Sequence, residues 1–198
     1  MTQDTRQIRK FAAGVEPNLG EGGVIPSATL WRMKQCRSNS AVSKMLALML
    51  AHQQPLDIVN GQKIDTDKSL AWSNDKEYHH FFPQAHLKRQ KVSGTAANVV
   101  GNIVLLTSKS NIDIRDAAPS DYLQLIIDDV GREALIERLA QNLVPETALD
   151  AALANDFPAF LEARSEFLHA HVQSLTGPIT GVEMLSDDLD DSDADATE

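Results

Sequence analysis

Two adjacent histidines, an asparagine some twenty positions later and a second asparagine nine beyond it are the side chains of this sequence best placed to do chemistry together. They sit in Glu77-Tyr78-His79-His80-Phe81-Phe82-Pro83, in Gly101-Asn102-Ile103-Val104-Leu105-Leu106-Thr107 and in Ser110-Asn111. Imidazole titrates near neutral pH, so it serves as a general base or, when neutral, as a metal ligand. An amide oxygen is a hard, uncharged ligand. Such a set could hold one divalent metal beside one base that activates water, an arrangement suited to cutting a phosphodiester.

The first segment reads as a strand, in which consecutive side chains point to opposite faces. His79 and His80 therefore cannot easily ligate one ion. If one binds the metal, its neighbour is left to approach substrate from another direction as the base. Phe81 and Phe82, closed by Pro83, should anchor the strand's end and turn the chain into a loop. Residues 99–107, rich in β-branched residues and leucine, read as the partner strand. Asn102, at its start, is placed to tie the loop to the strand by side-chain to backbone hydrogen bonds, fixing the histidines. Asn111 then begins a helical segment with Arg115 one turn on, on the same face at i+4. One imidazole, one amide oxygen and several waters make an open site better suited to Mg²⁺ or Mn²⁺ than to a closed zinc site, although Zn²⁺ or Ni²⁺ could occupy it in a purified sample. Its open positions would take a phosphate oxygen. His86, Lys88, Arg89 and Lys91 follow the histidine pair, and Lys109 and Arg115 flank Asn111, a basic rim able to contact phosphates.

The elements that must position these groups are mainly helical. Leu30, Trp31 and Met33 suggest a short first helix. Ser40 is a natural N-cap for a helix over residues 41–51, where Val42, Met45, Leu46, Met49 and Leu50 follow helical spacing and the methionines read as core filler. Pro55 and Asn60-Gly61 mark turns, with short strands at 56–59 and 63–64. Beyond Pro119 the pattern is again helical to residue 175. Tyr122, Leu125, Ile126 and Val130 form one stripe, Leu135, Ile136 and Leu139 a second, and Phe157, Phe160, Leu161, Leu168, His171 and Val172 a third. Gly131, Pro145 and Gly177-Pro178 punctuate these helices, and His169 and His171 read as capping or surface residues near the end of the last. The expected fold class is α+β: a mainly helical domain over residues 26–182, a connector over 1–25 and a tail over 183–198. The connector's Gly20-Glu21-Gly22-Gly23 is not followed by the Lys-Ser or Lys-Thr of a phosphate loop.

The net charge of −10 opposes nucleic-acid binding until it is divided along the chain. Eight acids and no Lys or Arg fall between Glu183 and Glu198, leaving −2 for the first 182 residues. The acidic tail has the composition of a disordered segment. A single cysteine, Cys36, excludes an intrachain disulfide and a Cys-rich zinc cage. No apolar run approaches a membrane span and the N-terminus lacks a signal-peptide core, so no membrane association and a cytoplasmic location are expected.

The order and spacing of these segments, closing with Ser110-Asn111-Ile112-Asp113-Ile114 and Pro119-Ser120-Asp121-Tyr122-Leu123, resemble the HNH (His-Me finger) nuclease domain. More closely, they resemble the version at the C-terminus of GmrSD-type and SspE-type bacterial defence proteins. The resemblance covers residues 75–123 and implies a central ββα-metal finger at about 75–118. By that resemblance His79 takes the place of the first metal ligand and His80 that of the general base. Asn102 takes that of the asparagine bracing the loop, and Asn111 that of the distal ligand. Arg115 stands where some HNH proteins have a further histidine, which assigns it to phosphate. The implied activity is one-metal nicking of double-stranded DNA, with Lys88, Arg89, Lys91, Lys109 and Arg115 making mostly backbone contacts. Relatives of this type carry an N-terminal NTPase or sensor domain, so such a domain is the implied partner; oligomeric state is left open. The alternative of a different class is a non-catalytic or autoinhibited DNA-binding module whose acidic tail covers the basic rim.

Overall fold

The computed structural model describes Ala13, residues 27–66 and residues 78–176. The expected connector, the acidic tail and residues 67–77, Glu77 among them, lie outside the described residues. Residues Ser27–Val172 form one compact unit. A second unit, Met1–Pro26 with Gln173–Glu198, contributes only Ala13 and the end of the last helix to the described residues.

The fold is α+β and mainly helical. In chain order the described elements are α1 (Thr29–Met33), α2 (Ala41–Gln53), β1 (Tyr78–His80), α3 (Gln84–Arg89), α4 (Gly94–Ala97), β2 (Ile103–Leu105), α5 (Ser108–Ile114), α6 (Pro119–Val130), α7 (Arg132–Gln141), α8 (Glu146–Leu153) and α9 (Phe157–Thr176). Local chemistry sets most boundaries. The Ser40 hydroxyl accepts from Ser43 N and starts α2, which ends where Gln54 turns left-handed at φ 49°. Pro119 occupies the first turn of α6, where its missing N–H costs nothing, and Gly131, at φ 87°, separates α6 from α7.

β1 and β2 form a two-stranded antiparallel ribbon with Tyr78 opposite Leu105, His79 opposite Val104 and His80 opposite Ile103. The partner strand is shorter than its composition predicts. Val100–Asn102 winds into a 3-10 turn, so only Ile103–Leu105 pairs with β1. The two short strands expected on either side of Asn60-Gly61 reduce to a single antiparallel bridge between Leu56 and Lys63.

Apolar burial fixes the ribbon. Phe81 and Phe82, directly after β1, are buried and pack on α9: the Phe81 ring stacks on Phe160 with centroids 4.7 Å apart, and Phe82 lies 5.1 Å from Phe157 and 5.0 Å from Phe160. Val104, Leu106, Ile114, Leu123, Ile126, Leu135, Leu139 and Leu149 belong to the same cluster. On α6 the buried stripe is Tyr122, Leu123 and Ile126; Leu125, expected inside, is 70% exposed. His171 is half-buried, its Nε2 3.4 Å from Gln53 Nε2 and its ring stacked with Phe167.

Candidate functional site

The site is built outward from the end of β1. Ladder pairing continues one step past His80, with Phe81 N–H donating to Asn102 O at 2.8 Å. The Asn102 side chain, wholly buried, then clamps the next residue from both sides. Its Oδ1 accepts from Phe82 N at 2.9 Å, and its Nδ2 donates to Phe82 O at 3.1 Å and to Ala97 O at 3.0 Å. This is the loop-to-strand tie expected of Asn102. Tyr122 completes the clamp from α6, its hydroxyl donating to Phe81 O at 2.8 Å; burial pushes that phenol well above its usual range, so it stays a donor. With Phe81 and Phe82 held by backbone bonds and by packing, His79 and His80 have a rigid end to project from.

His80 has two amide neighbours. Asn98 Oδ1 and Gln84 Nε2 each lie 3.0 Å from His80 Nε2. A ring nitrogen cannot donate to one and accept from the other at once. The Asn98 amide is oriented by its own Nδ2, which donates to Cys36 O at 3.2 Å, so its oxygen faces His80. His80 Nε2 therefore carries the hydrogen, Gln84 must turn its own oxygen toward the ring, and Nδ1 keeps the lone pair. Burial lowers the His80 pKa below the ordinary imidazole value, against a weaker upward pull from the Asn98 bond. The ring is thus held neutral near pH 7 and able to accept a proton. Asn98 escaped the sequence reading because its link to Cys36 spans 62 positions and follows no periodicity.

Asn111 lies in the middle of α5, not at its start. The helix begins at Thr107, whose Oγ1 accepts from Ser110 N at 3.3 Å. Thr107 N–H in turn donates to Asp57 Oδ2 at 2.8 Å, and Asn60 Nδ2 donates to Ser110 Oγ at 2.9 Å. Asp57, fully buried, also accepts from Val59 N and Asn60 N, so one carboxylate ties the 56–63 turn to the start of α5. Sequence reasoning missed that brace; an Asp ahead of Asn-Gly reads only as turn chemistry. The Asn111 amide is half-buried and makes no side-chain hydrogen bond among the described residues. Arg115 lies one turn after Asn111, its backbone N–H donating to Asn111 O at 3.0 Å, and it ends α5 with a positive φ of 54°.

The two side chains expected to hold a metal, the His79 imidazole and the Asn111 amide, lie on β1 and α5 respectively. The described residues contain no group of three or more His, Cys, Asp or Glu side chains able to hold an ion. One imidazole with one amide oxygen would suit a hard ion that keeps most of its waters and would not make a closed zinc site.

The basic rim is thinner than its sequence. His86 is 8% exposed, packed beside the Phe82 ring and held below the usual imidazole range by burial and by Arg89, so it adds no surface charge. Arg89 is paired with the Asp116 carboxylate and backbone oxygen, joining α3 to the chain after α5. Lys88, Lys91, Lys109 and Arg115 are exposed. The described residues also hold an unforeseen buried cation, Arg164 on α9, which donates to Gly101 O at 2.9 Å, Asn142 O at 3.2 Å and Leu143 O at 3.3 Å. Desolvation pulls its pKa down to about 9, which leaves it charged at neutral pH while it holds the residue before Asn102.

Compared with protein-family models, curated proteins and solved structures, the chain matches none. No helix among the described residues is long and apolar enough to cross a membrane.

Proposed function

We propose that this chain is a metal-dependent phosphodiesterase of the HNH type that nicks double-stranded DNA, and that residues 75–118 are its ββα-metal finger. The observation that carries the proposal is the antiparallel pairing of His79-His80 with Ile103-Val104, clamped by buried Asn102 and followed directly by the helix bearing Asn111.

In this proposal a divalent ion, Mg²⁺ or Mn²⁺, would be held by His79 and Asn111 and would supply charge stabilisation to the phosphoryl oxygens. His80, kept neutral by burial and in the Nε2–H form by Asn98, takes a proton from the attacking water on Nδ1. Asn98 then accepts a stronger hydrogen bond from the imidazolium so formed. Asn102 and Tyr122 hold β1 so that neither histidine wanders. Lys88, Lys91, Lys109 and Arg115 supply cations for DNA phosphates, with little sequence preference. The proposal includes a cytoplasmic setting, a role in defence against foreign DNA and a sensing NTPase partner domain.

The test is supercoiled plasmid incubated with the chain at low salt in Mg²⁺, Mn²⁺ or EDTA. Metal-dependent conversion to open circles, abolished by His80→Ala, is expected. Intact plasmid under every metal, with duplex binding retained, would turn the assignment toward a binding module.

A further inference from the structure

The ribbon's His80 side carries a cation that the proposed chemistry has not used. Arg37, Ser38, Ser43, Tyr78 and Ile103 line a cleft of about 180 Å³, and no carboxylate is among its lining residues. Tyr78 shares a strand face with His80, and Ile103 is the residue paired with it, so the cleft opens on the side of the base. Arg37 is exposed, yet among the described residues it forms no ion pair; its guanidinium meets only the neutral Gln35 Oε1 at 3.3 Å. Its backbone N–H donates to Ser43 Oγ at 3.0 Å, which pins it against the first turn of α2, a turn with no acidic residue. A guanidinium, hydroxyls and the positive end of a helix therefore stand around one cleft.

We propose that Arg37 binds a backbone phosphate of the DNA next to the one attacked, a subsite that rests on the phosphodiesterase proposal and orients the strand across His80. The planar guanidinium presents paired donors to two oxygens of one phosphate, which an ammonium cannot match.

The test measures binding of two fluorescent duplexes of unrelated sequence in EDTA, over a range of salt, by wild type, Arg37→Ala, Arg37→Lys and Arg132→Ala. Arg132 is a control because Glu146 and Asp150 already pair it. Arg37→Ala is expected to weaken both duplexes alike, by about tenfold at low salt, and to reduce the slope of log affinity against log salt by about 0.9. Arg37→Lys should restore the slope and only part of the affinity, and Arg132→Ala should change neither. Equal affinity and slope in wild type and Arg37→Ala overturn the subsite, while plasmid nicking by wild type would leave the nuclease standing. Inorganic phosphate titrated against the backbone amides of residues 36–44 separates the sources. If it shifts them in wild type while Arg37→Ala leaves duplex binding unchanged, the ligand is free phosphate and the proposal falls. Wild type that neither binds nor nicks DNA would remove the nuclease and the subsite together.

Discussion

Replacing Asn102 by alanine strips three hydrogen bonds from a place water does not reach. Asn102 and Phe82 are fully buried and Ala97 nearly so. The substitution leaves the Phe82 N–H, the Phe82 carbonyl and the Ala97 carbonyl without the partners they have at 2.9, 3.1 and 3.0 Å. An unsatisfied buried polar group costs about 1–3 kcal/mol, and a carbonyl with two lone pairs is more forgiving than an N–H, which puts the loss at about 3–5 kcal/mol. With a urea m-value of about 2 kcal/mol/M for a chain of this size, the midpoint should fall by about 1.5–2.5 M. Equilibrium urea unfolding followed by tryptophan fluorescence reads this directly, since Trp31 is wholly buried. Asn102→Asp, which keeps the acceptor but sets a carboxylate against two carbonyls, should be no more stable than the alanine variant. A loss below about 1 kcal/mol for Asn102→Ala would mean that water or a shifted backbone satisfies those groups, and the clamp would not be what fixes the histidines.

Tyr122→Phe removes a single bond, to Phe81 O, while sparing the edge-on ring contact with Phe81, so a loss of about 1 kcal/mol is expected in the same titration. Asn98→Leu should release the His80 tautomer: two-bond nitrogen–proton correlation spectra should place the hydrogen on Nε2 in wild type and on both nitrogens in the variant, with kcat reduced and KM little changed. Stability should fall with acid. His80, His86 and His171 all have folded pKa values lowered, chiefly by burial, so below the unfolded value of about 6.5 the unfolded chain binds protons that the fold refuses. Unfolding free energy should therefore decline from pH 7 to 5, and less steeply in His86→Asn.

Legibility divides along the range of the interaction. The Ser40 cap and the apolar spacing of α2, the Pro119 start of α6 and the Phe81-Phe82 anchor were readable because a cap, a helical stripe or an aromatic pair acts within a few residues. Asn102 was readable as a tie because an asparagine opening an apolar strand has few other uses. The strand's extent was not, since composition cannot show that Val100–Asn102 tightens into a 3-10 turn to bring Asn102 under Phe82. Nor could helical spacing reveal that Arg115 leaves α5 with positive φ. The braces that finish the site pair residues far apart: Asn98 with Cys36, Asp57 with Thr107, Asn142 with Leu56 and Leu105, and Arg164 with Gly101. Each depends on a meeting that only tertiary packing arranges, and no period or motif announces it.

The proposed division of labour between two neighbouring histidines is tested by one paired measurement: Mn²⁺ affinity by calorimetry beside plasmid nicking, for wild type, His80→Ala and Asn111→Ala. His80→Ala is expected to lose nicking while keeping wild-type Mn²⁺ affinity, and Asn111→Ala to bind Mn²⁺ more weakly. Loss of Mn²⁺ binding in His80→Ala, or undiminished nicking by that variant, would contradict that division.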